Sequence, residues 1–215
     1  MQTILPKTPN QVNYIKNLKN FKIPIVVALG PPGSGKTLLA CQEGIHQINN
    51  KCFNKLIITR PLITVDENLG YLPGDIKSKF DPYATPIYDS LNKLGTSQTI
   101  IDKLEISPLA YMRGRTFDDT FVIADEMQNA TINQMRTFLT RLGSNSKLII
   151  TGDLTQIDIE CSGLQHFLEL YNKYPNSPYI NISYMNENDI QRHPAVTSIN
   201  KMYQSESESH FGSHL

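Results

Sequence analysis

Short, nearly continuous apolar runs recur along the chain and alternate with stretches of helical periodicity. The apolar runs, which are rich in β-branched residues, are 23–29, 56–59, 121–124, 148–151 and 179–182. Unbroken apolar runs of this length are typical of strands that are buried on both faces, as in a parallel sheet. The helical stretches between some of them include 37–48, 131–141 and 162–170. Alternating β and α units predict an α/β fold, a doubly wound and mainly parallel sheet flanked by helices.

A further helix is predicted near the N-terminus. Thr8 followed by Pro9 is a helix-start signal, with Thr8 as the N-cap and Pro9 at the first helical position. Val12, Ile15 and Leu18 then fall on one face of the predicted helix. We therefore expect one helix before the first strand.

The stretch 61–120 fits the alternation less well, because prolines and glycines interrupt it repeatedly. Such residues break regular elements, so this stretch is predicted to be an insertion with one helix at about 85–94. Residues 205–215 are polar and are predicted to be a disordered tail. The remainder, 1–204, is expected to form a single domain, since 215 residues suffice for one sizeable core.

Composition excludes several classes of protein. Basic and acidic residues number 20 each, so the chain as a whole lacks the basic field of many nucleic-acid-binding proteins. The three scattered cysteines form neither a disulfide framework nor a zinc pattern. No signal peptide is visible, and no apolar run approaches the roughly 20 residues of a membrane span. We therefore expect a cytoplasmic protein without a membrane partner.

A phosphate-binding loop is predicted directly after the first strand. The pattern G-x-x-x-x-G-K-[ST] is matched by Gly30, Pro31, Pro32, Gly33, Ser34, Gly35, Lys36 and Thr37. Glycines let backbone N–H groups turn towards phosphates, and the following helix adds its positive dipole end. Lys36 would bind the β- and γ-phosphates, and Thr37 would ligate Mg²⁺. The alternative is a glycine-rich turn with an exposed lysine, but the strand–loop–helix context favours phosphate binding.

An acidic pair ends the strand 121–124. In a doubly wound sheet such a pair faces the loop after the first strand. Asp125 would hold Mg²⁺, and Glu126 would act as the general base that polarises the attacking water. The alternative is a solvated acidic turn that caps the next helix.

Two glutamines complete the set of candidate residues. Gln156 lies in a polar cluster after the strand 148–151, where it would contact the γ-phosphate or the lytic water; an ordinary turn is the alternative. No N-K-x-D pattern for guanine is present, so adenine is the expected base. Gln11, whose amide offers a donor and an acceptor, is a candidate reader of adenine, although a lone glutamine is more often a solvated helix residue.

Beyond these motifs, the chain resembles the PhoH family of ATPases over nearly its whole length, from Thr8 to about Tyr203. The blocks that carry the resemblance, besides the loop, are 59–61, 69–76, 82–89, 111–117, 125–129, 138–143, 151–158 and 192–194. The family looks like the nucleotide-binding core of superfamily-one helicases. The resemblance implies a RecA-like sheet, ATP and Mg²⁺ as ligands, ATP hydrolysis and ring-like homo-oligomers. It also favours the roles given above to Gln156 and Gln11.

The chain departs from some relatives, which carry a nuclease or RNA-binding domain and act on RNA. At 215 residues we expect no room for either addition, so RNA or another single-stranded nucleic acid is a weaker expectation than ATP. Three functions therefore stay open: an Mg²⁺-dependent ATPase that does work on RNA, a nucleotide-gated oligomeric binding module with little turnover, and a ribonuclease-type activity. Glu126 favours the first.

The arginines in the family blocks are candidates for stabilising the transferred phosphate: Arg60, Arg113, Arg115, Arg141 and Arg192. Arg192 is the first choice, supplied to a neighbouring subunit's site; the alternative is a surface ion pair with Asp189. Arg113 and Arg115 flank a glycine and suit a loop that reaches a phosphate backbone or an adjoining subunit, or a plain exposed turn.

Overall fold

The computed structural model describes residues 3–62, 76–175 and 177–192, together with positions 195, 199 and 202. The strands are β1 (Ile25–Leu29), β2 (Lys55–Arg60), β3 (Leu104–Pro108), β4 (Thr120–Ala124), β5 (Lys147–Gly152) and β6 (Ile180–Tyr184). The α-helices are α1 (Pro9–Lys19), α2 (Lys36–Asn49), α3 (Ile76–Leu94), α4 (Gln98–Ile101), α5 (Ile132–Leu139) and α6 (Gly163–Lys173). Short 3₁₀ turns follow β3, β4 and β6.

The strands of the described part of the chain form one parallel sheet in the order β3-β2-β4-β5-β1-β6. This confirms the predicted α/β, RecA-like doubly wound sheet. β5 lies between β1 and β4, with Ile149 paired to Val26 on one side and to Ile123 on the other. The loops after β1, β4 and β5 therefore meet at one edge of the sheet, where ligands bind in open α/β folds.

Each face of the sheet is covered by helices. On one face α1, α2 and α3 bury a core that includes Tyr14, Ile45 and Ile87. On the other face α5 and α6 bury a second core that includes Phe138 and Leu164. These two apolar layers fix the sheet, and with it the loops at its carboxyl edge.

The predicted N-terminal helix is confirmed. Thr8 is the N-cap of α1, and its hydroxyl accepts a hydrogen bond from the Gln11 N–H at 3.2 Å. Pro9 occupies the first helical position, where no backbone donor is needed. Val12, however, lies on the exposed side of the helix, while Tyr14 and Leu18 are buried.

The prediction of a one-helix insertion at 61–120 is wrong. α3 begins at Ile76 and runs through Pro82 and Pro86, and β3 joins the main sheet beside β2. Both prolines lie on the exposed face of α3. The buried face carries an apolar stripe spaced by four and three residues, formed by Phe80, Ala84, Ile87, Leu91 and Leu94. Burial of that stripe outweighs the backbone hydrogen bonds that two prolines remove.

Some predictions fall outside the described residues. These are the polar tail 205–215, the family block at 69–75 and the His193–Pro194 pair. The single-domain boundary at 204 therefore stays a prediction. Within the ranges that the structure describes, no helix combines the length and apolar character needed to cross a bilayer.

Candidate nucleotide site

The phosphate-binding loop connects β1 directly to α2. Gly33 and Gly35 have φ angles of 81° and 91°, a left-handed conformation that other residues rarely adopt. Gly30 has a φ angle of 148°, and a Cβ added there would lie 2.5 Å from the Met185 carbonyl oxygen. Conformation therefore requires glycine at Gly33 and Gly35, and both conformation and space require it at Gly30.

Lys36 places its ammonium group inside this loop. Its Nζ donates hydrogen bonds to the carbonyl oxygens of Gly30 at 2.5 Å and Pro31 at 2.9 Å. Burial lowers the pKa of Lys36, while the nearby carboxylates of Asp153, Glu126 and Asp125 act in the opposite direction. The lysine is thus a partly desolvated cation that attracts an anionic ligand, whereas the carboxylates opposite it attract a cation.

The two predicted Mg²⁺ ligands are in contact although they are 88 residues apart. The Thr37 hydroxyl donates a hydrogen bond to Asp125 Oδ1 at 2.6 Å, and Thr151 donates to the same oxygen at 2.5 Å. Because the Thr37 hydrogen points to Asp125, the lone pairs of its oxygen remain available to a cation. Asp125 is only 2% exposed, which does not fit a solvated acidic turn. Oxygen donors of this kind suit Mg²⁺.

Glu126 lies beside Asp125 in a left-handed conformation, with φ 56°. Its two carboxylate oxygens have different partners. Oε1 accepts from Arg60 at 3.2 Å, and Oε2 accepts from the Gln128 amide at 2.6 Å. The side chain is 39% exposed, so water reaches it. The carboxylate is therefore held in place by two donors and still open to solvent.

Arg60 was one of the candidate arginines of the family blocks, but no role beside the acidic pair was predicted for it. It ends β2, and its Nε forms an ion pair with Asp125 Oδ2 at 3.2 Å. A second nitrogen pairs with Glu126, and a third donates to the Tyr83 carbonyl of α3 at 2.9 Å. Its place at the carboxyl end of a buried strand was the available signal, since ligand-binding residues gather there.

Gln128 and Asp153 are further site residues that the sequence did not single out. Gln128 donates to Glu126 and accepts from the Asp153 N–H at 3.2 Å, so it links the loops after β4 and β5. Asp153 is 4% exposed. Its Oδ1 accepts from the N–H and hydroxyl of Thr155, whereas its Oδ2 has no hydrogen-bond partner in the described part of the chain.

Gln156 lies near Glu126 but outside the cleft of the phosphate loop. It is exposed and lines a separate open cavity of about 510 Å³, whose wall also includes Arg60, Glu126 and Tyr83. Glu126 and Arg60 border both cavities. The predicted contact of Gln156 with the γ-phosphate stays a prediction.

Gln11 is buried against the phosphate loop rather than solvated. Its Nε2 donates to the carbonyls of Ser34 at 3.0 Å and Asp189 at 3.3 Å, and its Oε1 accepts from the Lys7 N–H at 2.8 Å. It also lines the cleft. Direct reading of adenine by Gln11 stays a prediction; what its amide does in the structure is brace the loop.

Arg192 lies over the phosphate loop of its own chain. The preceding residue, Gln191, donates its N–H to the Gly33 carbonyl at 2.9 Å, and the Arg192 side chain lines the cleft. The alternative ion pair with Asp189 is absent from the described ion pairs. The Asp189 carboxylate instead accepts from the Thr8 hydroxyl and the Asn10 amide. Arg192 is therefore beside the loop of its own chain, and its predicted action on a neighbouring subunit stays a prediction.

The other candidate arginines have different surroundings. Arg115 forms a two-pronged ion pair with Glu105, at 2.5 and 3.0 Å, and is therefore structural. Arg141 donates to the carbonyl oxygens of Thr137 and Arg115. Arg113 is exposed, so its predicted role at a phosphate backbone or a subunit contact stays a prediction.

The loop, Asp125 and Glu126 line a cleft of about 430 Å³. This volume lies within the range of pockets that hold small ligands and cofactors. α3 contributes Pro86, Ser90 and Lys93 to its lining, and the N-terminal segment contributes Ile4, Leu5 and Lys7. The lining of the cleft therefore combines the glycine-rich loop and the acidic pair with partly apolar residues from α3 and the N-terminal segment.

Comparison with known proteins gives a consistent match to one family. The sequence profile of the PhoH family, described as PhoH-like protein, matches residues 3–204. A PhoH-like protein of Bacillus subtilis is 43% identical over 210 residues, which cover 94% of this chain and 64% of the relative. Protein PhoH of Escherichia coli K12 is 43% identical over 178 residues, which cover 78% of this chain and 50% of the relative. The chain thus spans about half to two thirds of the length of these relatives.

Solved structures show a more distant likeness. The Sulfolobus solfataricus SWI2/SNF2 ATPase core in complex with dsDNA aligns with a TM-score of 0.46 and 13% identity, over 86% of this chain and 47% of that chain. The Pif1 helicase from Candida albicans aligns with a TM-score of 0.39 and 14% identity, over 86% and 40%.

Proposed function

The chain belongs to the PhoH family, and from that premise and the geometry of the cleft we propose that it binds ATP with Mg²⁺ and hydrolyses it. The observation that carries the proposal is the contact between Thr37 and Asp125 at 2.6 Å. It joins the end of the phosphate loop to a buried carboxylate from a different strand. A glycine-rich turn with an exposed lysine would have no reason to form this pair.

Each residue has a separate role in the proposed reaction. Lys36 neutralises charge on the β- and γ-phosphates, and Thr37 and Asp125 hold Mg²⁺, which supplies further charge neutralisation. Glu126 orients the attacking water and accepts its proton, because each carboxylate oxygen keeps a lone pair beside its present hydrogen bond. Arg192 donates to the phosphate from the other side of the loop. It acts mainly in the transition state, where charge spreads over the phosphate oxygens.

The test is ATP turnover by the purified protein with and without Mg²⁺, in the parent and in Lys36→Ala. We expect the substitution to remove most binding and turnover, since it deletes the charge inside the loop. Lys16→Ala, at an exposed position of α1, is the matched control and should behave as the parent. Equal ATP affinity of parent and Lys36→Ala in calorimetry would rule out the assignment.

Coupling to single-stranded RNA is a second part of the proposal. The cavity that holds Gln156 shares Glu126 and Arg60 with the nucleotide cleft. A strand bound there would contact Glu126, which orients the attacking water in this proposal, and Arg60, which holds Glu126 in place. Turnover should then rise when single-stranded RNA is added, and an unchanged rate across RNA and DNA strands would leave an ATPase without this coupling.

Two other functions stay open as alternatives. One is a nucleotide-gated oligomeric module that uses the same phosphate-binding loop. Such a module would bind ATP and assemble into a ring with little turnover. A ribonuclease-type activity has less support: the part of the chain that the structure describes holds no group of three acidic, histidine or cysteine residues suited to a metal ion.

A further inference from the structure

Residues 4–7 belong to no helix or strand, yet they line the nucleotide cleft. Ile4, Leu5 and Lys7 all contribute to the lining, next to Leu38 of α2. A segment without regular structure needs other contacts to hold it in one conformation.

Gln42 attaches the start of the segment to the helix that follows the phosphate loop. Its Oε1 accepts from the Ile4 N–H at 2.6 Å, and its Nε2 donates to the Ile4 carbonyl at 3.0 Å. One amide side chain thus satisfies both backbone groups of a residue 38 positions away. The Ile4 side chain also packs against the core.

A second amide attaches the other end of the segment. Gln11 accepts from the Lys7 N–H at 2.8 Å and donates to the Ser34 carbonyl of the phosphate loop at 3.0 Å. The segment is therefore tied at one end to α2 and at the other end to the loop itself. Any ligand held by the loop meets a wall at a fixed distance.

Leu5 lies between these two attachments and makes little contact with the protein. Its side chain is 73% exposed. Its backbone N–H and carbonyl have no hydrogen-bond partner among the described residues. Polyphosphate is hydrophilic and gains nothing from an apolar surface of this kind. A planar, heteroaromatic group with donors and acceptors on its edge matches both the leucine side chain and the free backbone groups.

We propose that residues 4–7 form the wall on which the nucleobase lies, and that Gln42 is the residue that positions this wall. The inference rests on the proposed function, because it assigns the base end of the same nucleotide. Leu5 contacts the base, whereas Gln42 acts only through the Ile4 backbone. Gln42 has no assigned contact with phosphates, so its loss should leave phosphate binding intact.

The experiment compares the affinities of MgATP and of Mg²⁺-tripolyphosphate, which lacks base and ribose, by calorimetry. The variants are Gln42→Met, which keeps the volume but loses both hydrogen bonds, and Leu5→Ala. Gln165→Met, at an exposed position of α6, is the matched control. The parent should bind MgATP more tightly than tripolyphosphate. Both variants should lose about tenfold in MgATP affinity, a loss of the size expected for a leucine contact that is buried on binding: Leu5→Ala removes the contact, and Gln42→Met releases the segment that holds it. Both should bind tripolyphosphate as the parent does.

A KM that rises about tenfold for ATP with an unchanged kcat would support the same role, because it marks lost ground-state binding rather than lost chemistry. Equal loss of both ligands in Gln42→Met would overturn the inference, since Gln42 would then support the phosphate loop. Parent-like MgATP affinity in both variants would overturn it as well. A parent that binds neither ligand would instead refute the proposed function.

Discussion

Arg60 is the residue whose substitution gives the sharpest test of the electrostatics of the site. The side chains of Arg60 and Asp125 are 14% and 3% exposed, and their charged atoms lie 3.2 Å apart. Arg60→Met keeps much of the volume but leaves the buried Asp125 carboxylate without its cation. Breaking a buried ion pair in this way costs about 3–5 kcal/mol. Asp125 keeps two hydroxyl donors, from Thr37 and Thr151, so we expect the lower part of that range.

The same substitution should increase the stabilisation of the fold by bound MgATP. Without Arg60, a bound Mg²⁺ becomes the main counter-charge of Asp125. The ligand then offsets the free-energy cost of a buried, unpaired carboxylate, a cost that the parent does not have. A tenfold gain in affinity would add about 1.4 kcal/mol to the stabilisation by MgATP. The assay is urea unfolding with and without MgATP, evaluated from the midpoint at unchanged slope.

Arg136→Met, at an exposed position of α5, is the control and should change stability by less than about 0.5 kcal/mol. The reasoning is refuted if Arg60→Met unfolds at the parent's urea midpoint. A smaller stabilisation by MgATP in the variant than in the parent would refute it too, because the arginine would then be helping the ligand rather than competing with the cation.

Two further predictions concern arginines. Arg192→Ala should reduce turnover far more than ATP affinity. Mixing it with Lys36→Ala subunits should restore no activity, since Arg192 lies at the loop of its own chain. Recovered turnover in co-assembled mixtures would place Arg192 in a neighbour's site. Hydrogen bonds from Arg115 help to lower the pKa of Glu105 to about 2, so Arg115→Met should raise that pKa towards its ordinary value, as followed by NMR titration. A carboxyl group whose pKa is lowered by folding stabilises the fold at pH values above its ordinary pKa, and this stabilisation is lost as the pH falls towards the lowered pKa. The difference in unfolding free energy between parent and Arg115→Met should therefore shrink as the pH falls from about 4.5 to about 2. A difference that grows in acid would contradict the pairing.

The buried strands were predictable because a parallel sheet covered on both faces demands apolar side chains at successive positions. β3 was missed because it lies at the edge of the sheet and carries polar residues, Glu105 and Ser107, in its middle. α3 was shortened because Pro82 and Pro86 were taken as helix breakers. Its stripe from Phe80 to Leu94 has the spacing of an amphipathic helix and was the stronger signal.

In the site, too, the features formed by neighbouring residues were predictable and the contacts between distant residues were not. The phosphate loop and the acidic pair are contiguous motifs, so the sequence is enough to propose them. Glu126 accepts its hydrogen bonds from Gln128 and from Arg60, and Arg60 is 66 positions away along the chain, so no local pattern indicates that contact. The position of Arg192 was not predictable for a similar reason, because nothing local to it indicates that its side chain lies beside Gly33 of its own chain.

The most direct test of the central claim is phosphate release from MgATP by the parent and by Glu126→Gln, measured alongside ATP affinity. Glu126→Gln keeps the shape of the side chain and removes the base. We expect ATP affinity to stay within a few-fold of the parent's and phosphate release to fall by about a hundredfold or more. Glu169→Gln, at an exposed position of α6, should release phosphate at the parent's rate. Phosphate release by Glu126→Gln at the parent's rate would contradict the account, because the residue placed to activate water would then take no part in the reaction.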